Sequence, residues 1–367
     1  MTPVTPPTLL NIPDVPMRIV LGELDYLSIL CFRKTCYRFL DFVDLTIPPK
    51  NLKSVIVSSE SSDIYSMQLC FNDNTPYLYP NGSTICLKFK KTGENSCELN
   101  WYRSDGARKF TLQNMDFSDV FINHLDFFMK FHKGMLPLFE FKDLIITSKN
   151  QAIKPKNPIQ ASRINMEYMD FDQDQISNFL SWFCPESLYW LDISCPEDTP
   201  EILIDIKKLI VMKQWKQADN VQIKGFLVKV PVRNFDSFRR AFMKVEEVTA
   251  EDIRELKEIF TTTFSYPSTL HLTYNSCLEL DYILNYLGPP SLLGPLCRKP
   301  FKTWNFDNAA NSEFVLELRW EIGKRFEFKH IKRSAIRKDV GFIVEAPQPN
   351  DVSCFATFLN IVSKLFW

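Results

Sequence analysis

At 367 residues the chain is too long for one small compact domain and long enough for two or three units, or for a small domain joined to a repeat array. Its 43 basic and 44 acidic residues leave a net charge of -1, which excludes a global field able to hold a polyanion or an anionic membrane; any nucleic-acid role would have to be local. Hydrophobic residues at 45% and charged ones at 24% are ordinary globular values, and with only 10 glycines the chain has little material for phosphate-cradling loops.

The opening MTPVTPPTLLN lacks the basic start and apolar run of a signal peptide, and no uninterrupted apolar stretch approaches about 18 residues. The expectation is a soluble intracellular protein, cytoplasmic or nuclear. The ten cysteines are scattered rather than spaced as a framework, and in a reducing compartment they read as small buried hydrophobes.

From Ile12 to Val43 apolar residues recur at helical spacing in three short bursts. Met17, Val20, Leu21 and Leu24 make one face of a first helix, with Asp14 as N-cap and Pro16 in the first turn. Ser28 is the expected N-cap of a second helix striped by Ile29, Phe32 and Cys36, and Tyr37 to Val43 gives a third. Cys31 and Cys36 raise the question of a metal half-site. On one helix, five residues at 100° each would set them about 140° apart around the axis and roughly 8 Å along it, too far for a shared ion or a disulfide. The histidines at 124, 132, 271 and 330 supply no second ligand pair at zinc-finger spacing, so no metal is expected. Three such short helices cannot bury all their apolar surface among themselves, and they need either the rest of the chain or a partner.

After the prolyl break TIPPKN, residues 49–135 form a β-rich segment, with antiparallel strands at LKSVIV (52–57), YSMQLCF (65–71), STICLKFK (83–90) and CELNWY (97–102). Residues 136–346 carry a degenerate apolar-x-x-apolar-x-apolar repeat. It falls at Phe141-Leu144-Ile146, Ala161-Ile164-Met166, Leu188-Leu191-Ile193, Ala218-Val221-Ile223 and Val245-Val248-Ala250, with starts 20, 27, 30 and 27 residues apart. Helical patterns lie at Gln175 to Phe183, Glu201 to Trp215, Asn234 to Phe242 and Ala250 to Phe264, and a strand LHLTY at 270–274 follows. Strand then helix at that period predicts a leucine-rich-repeat-like solenoid, or an ordinary α/β domain with evenly placed strands; in either the strands are parallel. Alternating runs at 314–322, 324–331 and 341–346 should close the sheet, and residues 347–367 should form a C-terminal capping helix. The expected fold class is α+β or α/β.

Catalytic signatures were tested on spacing. DFDQD (Asp170, Asp172, Asp174) imitates a calcium loop, but Gln175 stands where the loop needs glycine and Ser181 where it needs glutamate. No dinucleotide or phosphate loop, His-Glu-x-x-His or nucleophile elbow occurs, and Cys184 has nothing local to activate it, so neither an enzyme nor a cofactor is expected. KHIKRSAIRK (329–338), near Phe326 and Phe328, alternates with apolar residues and reads as a strand with one solvated face rather than a nucleic-acid contact.

Two resemblances fit this organisation. Ile12-Pro13, Val20-Leu21, Leu24-Asp25, Ile29, Arg33 and Cys36, within residues 9–48, resemble an F-box. KQWKQADNVQI (213–223), KVEEVTAEDIRELKEIF (244–260) and KRFEFKHIKRSAI (324–336) resemble the FTH domain that accompanies an F-box in nematode F-box A proteins, with a core about 176–275. The resemblance implies a substrate-recognition adaptor of a cullin-RING ubiquitin ligase. Its F-box would dock a Skp-type adaptor, and through it a cullin, by Ile12, Pro13, Val20, Leu21, Leu24, Tyr26 and Ile29. Phe32 and Cys36 would form the small domain's own core, while the C-terminal domain holds a target protein. The alternative is a protein-interaction scaffold outside any ligase, in RNA-linked or translational control.

Overall fold

The computed structural model describes residues 12–24, 26–33, 35–46, 52–71, 84–103, 106–132, 134–143, 155–168, 173–196, 199–229, 231–235, 237–264, 266–293, 301–322 and 325–336. The expected strand at 341–346 and capping helix at 347–367 lie outside the described residues.

The chain opens with α1 (Asp14–Glu23), α2 (Tyr26–Arg33) and α3 (Tyr37–Thr46). Met17, Leu21 and Leu24, at i, i+4 and i+7, turn α1 inward; Val20 does not share that face and is 40% exposed. Pro13, not Asp14, occupies the N-cap, leaving the Asp14 carboxylate in the first turn where the helix dipole favours it. Ser28 lies inside α2 rather than capping it, because the helix already begins at Tyr26. Cys36 is also not on α2. That helix ends at Arg33, Thr35 Oγ1 donates to the Phe32 carbonyl at 2.7 Å, and the Cys36 carbonyl accepts from Leu40 N–H at 3.0 Å to start α3. The one-helix geometry expected for Cys31 and Cys36 therefore does not apply, and no metal-holding group of three His, Cys, Asp or Glu occurs among the described residues. Phe32 and Phe39 close the α2–α3 corner with ring centroids 3.9 Å apart.

One mixed sheet of sixteen strands runs through the described residues. Its first wing is an antiparallel meander of β1 (Ser54–Ser61), β2 (Ile64–Cys70), β3 (Thr84–Gly93), β4 (Ser96–Arg103) and β5 (Gly106–Gln113). The β-rich segment also contains a helix that the strand pattern did not mark, α4 (Phe117–Phe131), N-capped by Asp116, whose carboxylate accepts from Ser118 and Asp119 N–H. It sets Phe117 and Phe121 against Tyr65, and Phe121 against Phe89, at centroid distances of 4.5–5.4 Å.

The centre is parallel: β6 (Leu138–Lys142), β7 (Arg163–Glu167), β8 (Trp190–Ser194), β10 (Asn220–Lys229), β11 (Arg240–Glu247) and β12 (Thr269–Ser276) stand side by side in chain order. Helical segments α5 (Gln173–Leu180), α6 (Lys207–Ile210), α7 (Lys213–Gln217) and α8 (Ala250–Thr262) lie between them, and α9 (Leu280–Leu287) follows β12. The second wing, β13 (Leu292–Leu293), β14 (Phe301–Asp307), β15 (Phe314–Glu321) and β16 (Arg325–Lys332), is antiparallel and joins the centre through β12 and β16.

Register tests the expected repeat. Ile164, Leu191 and Val221 stand in one row and Met166, Ile193 and Ile223 in another, so the three middle triplets stack as expected. The outer two are shifted. Before them the matching residues are Leu136, Phe139 and Phe141, because β6 ends at Lys142; Leu144 and Ile146 lie outside the described residues. After them come Phe238, Ala241 and Met243, because Val248 lies past the end of β11 and Ala250 begins α8. Two expected helices also differ. Residues 202–205 of the Glu201 to Trp215 segment form β9 (Ile202–Asp205), and Asn234 to Phe242 becomes a short 3-10 turn followed by β11. β10 pairs with β8 over its first half and with β9 over its second, and Gly225 stands at the switch with φ +76°. A Cβ there would lie 2.1 Å from Cys195 Sγ, so only glycine supplies both the backbone angle and the space.

One apolar cluster extends from Leu21, Ile29 and Val43 through the parallel rows to Phe328, on the side of the sheet that the helices cover. On the other side of the parallel strands no described helix packs.

Candidate interaction surfaces

The helical segment and the uncovered sheet face are the two surfaces on which the expected functions can be tested. In the helical segment the six expected adaptor contacts whose side chains are described do not gather on one exposed surface. Leu21 and Ile29 are fully buried in the core shared with the sheet, and Leu24 is half-buried against it. Ile12 is half-buried and Pro13 exposed, Val20 is 40% exposed, and Tyr26 begins α2, its side chain lying outside what is described. The segment is tied to the meander through α4, where the Arg33 guanidinium lies 5.2 Å from the Phe127 ring centroid. Val15 and Ile19, 70% and 65% exposed, join Val20 in an apolar strip along the outer side of α1. The sequence reading missed that strip, although the spacing i, i+4, i+5 carries it.

On the uncovered face, side chains alternate out of the strands in rows that cross the sheet. One row reads Arg163, Trp190, Asn220, Arg240, Thr269, Lys329 from β7 to β16. The adjoining row reads Glu140, Asn165, Asp192, Gln222, Phe242, His271, Glu327. Several of its acids meet cations: Glu140 with Lys142 at 3.2 Å, and Asp192 with Arg163 at 3.4 Å. Burial pushes the Asp192 carboxyl up against the pull of Lys224 and Arg163. The Arg163 guanidinium also lies 5.4 Å from the Trp190 ring, and His271 stacks on Phe242 at 4.5 Å with its Nε2 3.7 Å from Glu327.

Cys184, the one thiol weighed as a nucleophile, is half-buried and donates to Glu186 at 2.9 Å; that hydrogen bond, with desolvation, raises its pKa. A thiol held protonated is a poor nucleophile at neutral pH. No described helix is long and apolar enough to cross a membrane.

The run from the end of β6 through α9, with the parallel strands and the helices between them, decides the family comparison. Residues 143–289 are an FTH domain. The FTH domain thus takes in β7 through β12 and reaches further on both sides than the expected core at 176–275. Both shifted outer triplets border it or lie within it: the rung on β6 just precedes its first residue, and Phe238, Ala241 and Met243 lie inside. The α8 N-terminus within the FTH domain carries a full capping box, Thr249 accepting from Asp252 N–H while the Asp252 carboxylate accepts from Thr249 N–H. No curated protein and no solved structure matches the chain.

Proposed function

We propose that the chain is a non-catalytic, intracellular adaptor in which α1 to α3 act as a divergent F-box and the FTH domain, a leucine-rich-repeat-like array of strands, holds a target protein. The observation that carries this reading is an FTH domain, a family associated with F-boxes, lying C-terminal to three short helices whose sequence resembles an F-box. Among the described residues of those helices, the exposed strip of Val15, Ile19 and Val20 on α1 is an apolar surface that could meet a Skp-type adaptor. Such an adaptor works by proximity: it raises the local concentration of a target lysine near a ubiquitin-charged enzyme carried elsewhere on the cullin complex.

The test is capture of the full chain on an immobilised Skp-type adaptor, comparing wild type with an Ile19→Asp/Val20→Asp variant and with Leu24→Asp. Wild type should be retained, and the surface variant should lose about tenfold or more in affinity while unfolding at the same temperature, since each exposed apolar contact removed costs about 1 kcal/mol. Failure of wild type to bind would sink the ligase reading. A second reading, an interaction scaffold outside any ligase in RNA-linked or translational control, is favoured by the burial of Leu21 and Ile29, which the fold already uses for its own core.

A further inference from the structure

Lys142, Lys224, Lys244 and Arg325 also lie on the uncovered face, but Lys142, Lys244 and Arg325 are paired with Glu140, Glu201 and Glu321, and the row from Arg163 to Lys329 differs from them and from the row between. It carries three cations and no acid across six strands, whereas the adjoining row mixes acids with neutral groups. Arg240 and Lys329 are exposed and make no side-chain hydrogen bond or ion pair with a described residue. Glu317 stands opposite Lys329 in β15 but does not reach it, while the other nearby acids, Asp192 and Glu327, are engaged by Arg163 and His271. Within the row, Trp190 Nε1 and Asn220 Oδ1, and beside it Asp192 Oδ1, are buried without hydrogen-bond partners, Asn220 being fully buried, so this stretch of the face holds polar groups that the fold itself leaves unsatisfied.

We propose that this row docks an extended acidic peptide of the target protein, running across the strands with carboxylates on Arg163, Arg240 and Lys329. The proposal deepens the adaptor reading, on which it rests, by naming the gripping face and the chemistry of what is gripped. With strands about 4.8 Å apart, Arg163 and Arg240 are separated by three steps, roughly 14 Å, and Arg240 and Lys329 by two, roughly 10 Å. An extended chain rises about 3.3 Å per residue, so acids four and three residues apart span these gaps; because the second interval is odd, the third acid meets Lys329 only where the peptide backbone twists by about half a turn between them. The same geometry disfavours a polyphosphate strand. Asp192, Glu327 and Glu317 flank the row, where they would repel a continuous line of phosphates but leave room for discrete carboxylates.

The probe is a fluorescein-labelled Gly/Ser peptide with glutamates four and three residues apart, its glutamine counterpart, and a short oligouridylate, each titrated against the full chain by fluorescence anisotropy. The glutamate peptide should bind, weaken with added salt, and lose about tenfold in affinity to an Arg240→Glu/Lys329→Glu variant. Lys208→Glu, a charge change on α6 at the opposite side of the sheet, should leave binding intact. The proposal is overturned if wild type does not bind the glutamate peptide, if the glutamine peptide binds equally, if the double variant binds unchanged, or if oligouridylate binds this row more tightly than the peptide. Capture on the Skp-type adaptor is read in parallel. A double variant that keeps adaptor capture but loses the peptide supports the face assignment, and a wild type that binds the peptide without capturing the adaptor refutes only the ligase reading.

Discussion

On the helix-covered side of the sheet Phe139, Phe141, Phe179, Trp182 and Phe183 meet ring to ring at centroid distances of 4.7–6.0 Å. On the other side of the same strands Glu140, Asp192 and Glu327 face Lys142, Arg163 and His271 in partly buried pairs. One strand thus serves two purposes through its two-residue period: its inward side chains hold the fold, and its outward ones, apart from buried Asn220, Asp192 and Gln222 at the centre, are free to differ without disturbing it. Stability should therefore be concentrated on one face and recognition on the other.

The strongest way to break that comparison is to remove a ring. Phe141 is fully buried and touches Phe139, Phe179, Trp182 and Phe183, so Phe141→Ala should lower unfolding free energy by about 3–5 kcal/mol, seen as a fall in the urea midpoint. Arg240→Glu, on the outward face of β11, should stay within about 0.5 kcal/mol of wild type. Comparable losses from the two substitutions would mean that the outward face is part of the core.

A comparable or somewhat smaller effect is expected where the sheet changes neighbours. Gly225→Ala forces a side chain into a left-handed backbone conformation and against Cys195 Sγ, at about 1–2 kcal/mol for the first and about 1–3 kcal/mol for the second. Adding Cys195→Ala should restore the packing part and leave the conformational part, because it removes the sulfur but not the positive φ. Thermal unfolding of the single and double variants separates the two. No recovery in the double variant would place the cost in the backbone alone.

These sites also mark how far the sequence could be read. The middle triplets were legible because Ile164, Leu191 and Val221 recur with Met166, Ile193 and Ile223 at one spacing, and β-sheet register turns equal spacing into stacking. The outer two misled because a chain with 31 Phe and 45% hydrophobic residues repeats so degenerate a pattern by chance, five residues late at Phe141 and seven late at Val245. The helix α4 was legible in principle, since Asp116 precedes Phe117, Phe121, Leu125 and Phe128 at helical intervals, but neighbouring alternation drew attention to strands. The switch at Gly225 was not legible at all, because what requires glycine there is a cysteine thirty residues earlier in the chain. For the helical segment the spacing of the apolar residues gave the helices but not which of them face water. Leu21 and Ile29 are buried by docking onto the sheet, whereas Val15 and Ile19 are left outside, and only tertiary packing decides between them.

The two faces can finally be compared through one residue type, because each carries a histidine that burial pushes below its ordinary value of 6.5. His330, on the helix side and 5% exposed, donates from Nε2 to the Phe260 carbonyl at 2.7 Å. Its Nδ1 accepts from Ser268 Oγ at 2.8 Å and from Ser268 N–H at 3.3 Å. A second proton would have to go on Nδ1, where it would meet that N–H head-on. His271, on the outward side, is also desolvated, with Arg325 and Lys329 opposing protonation, but Glu327 favours it. A depressed folded pKa means that the unfolded chain takes up more protons than the folded one just below pH 6.5. Stability should therefore be fully present above that value and fall as the pH drops through it. The effect should be smaller than either substitution above, since one ring titrates and the packing stays in place. Between about pH 5 and 8, His330→Gln should flatten the acid-side fall in urea midpoint, and His271→Gln should flatten it less, because Glu327 already offsets part of the desolvation of that ring. Equal flattening by the two would mean that the helix-covered face shields its polar groups no better than the outward one, and the division of labour between the faces would then hold for packing but not for charge.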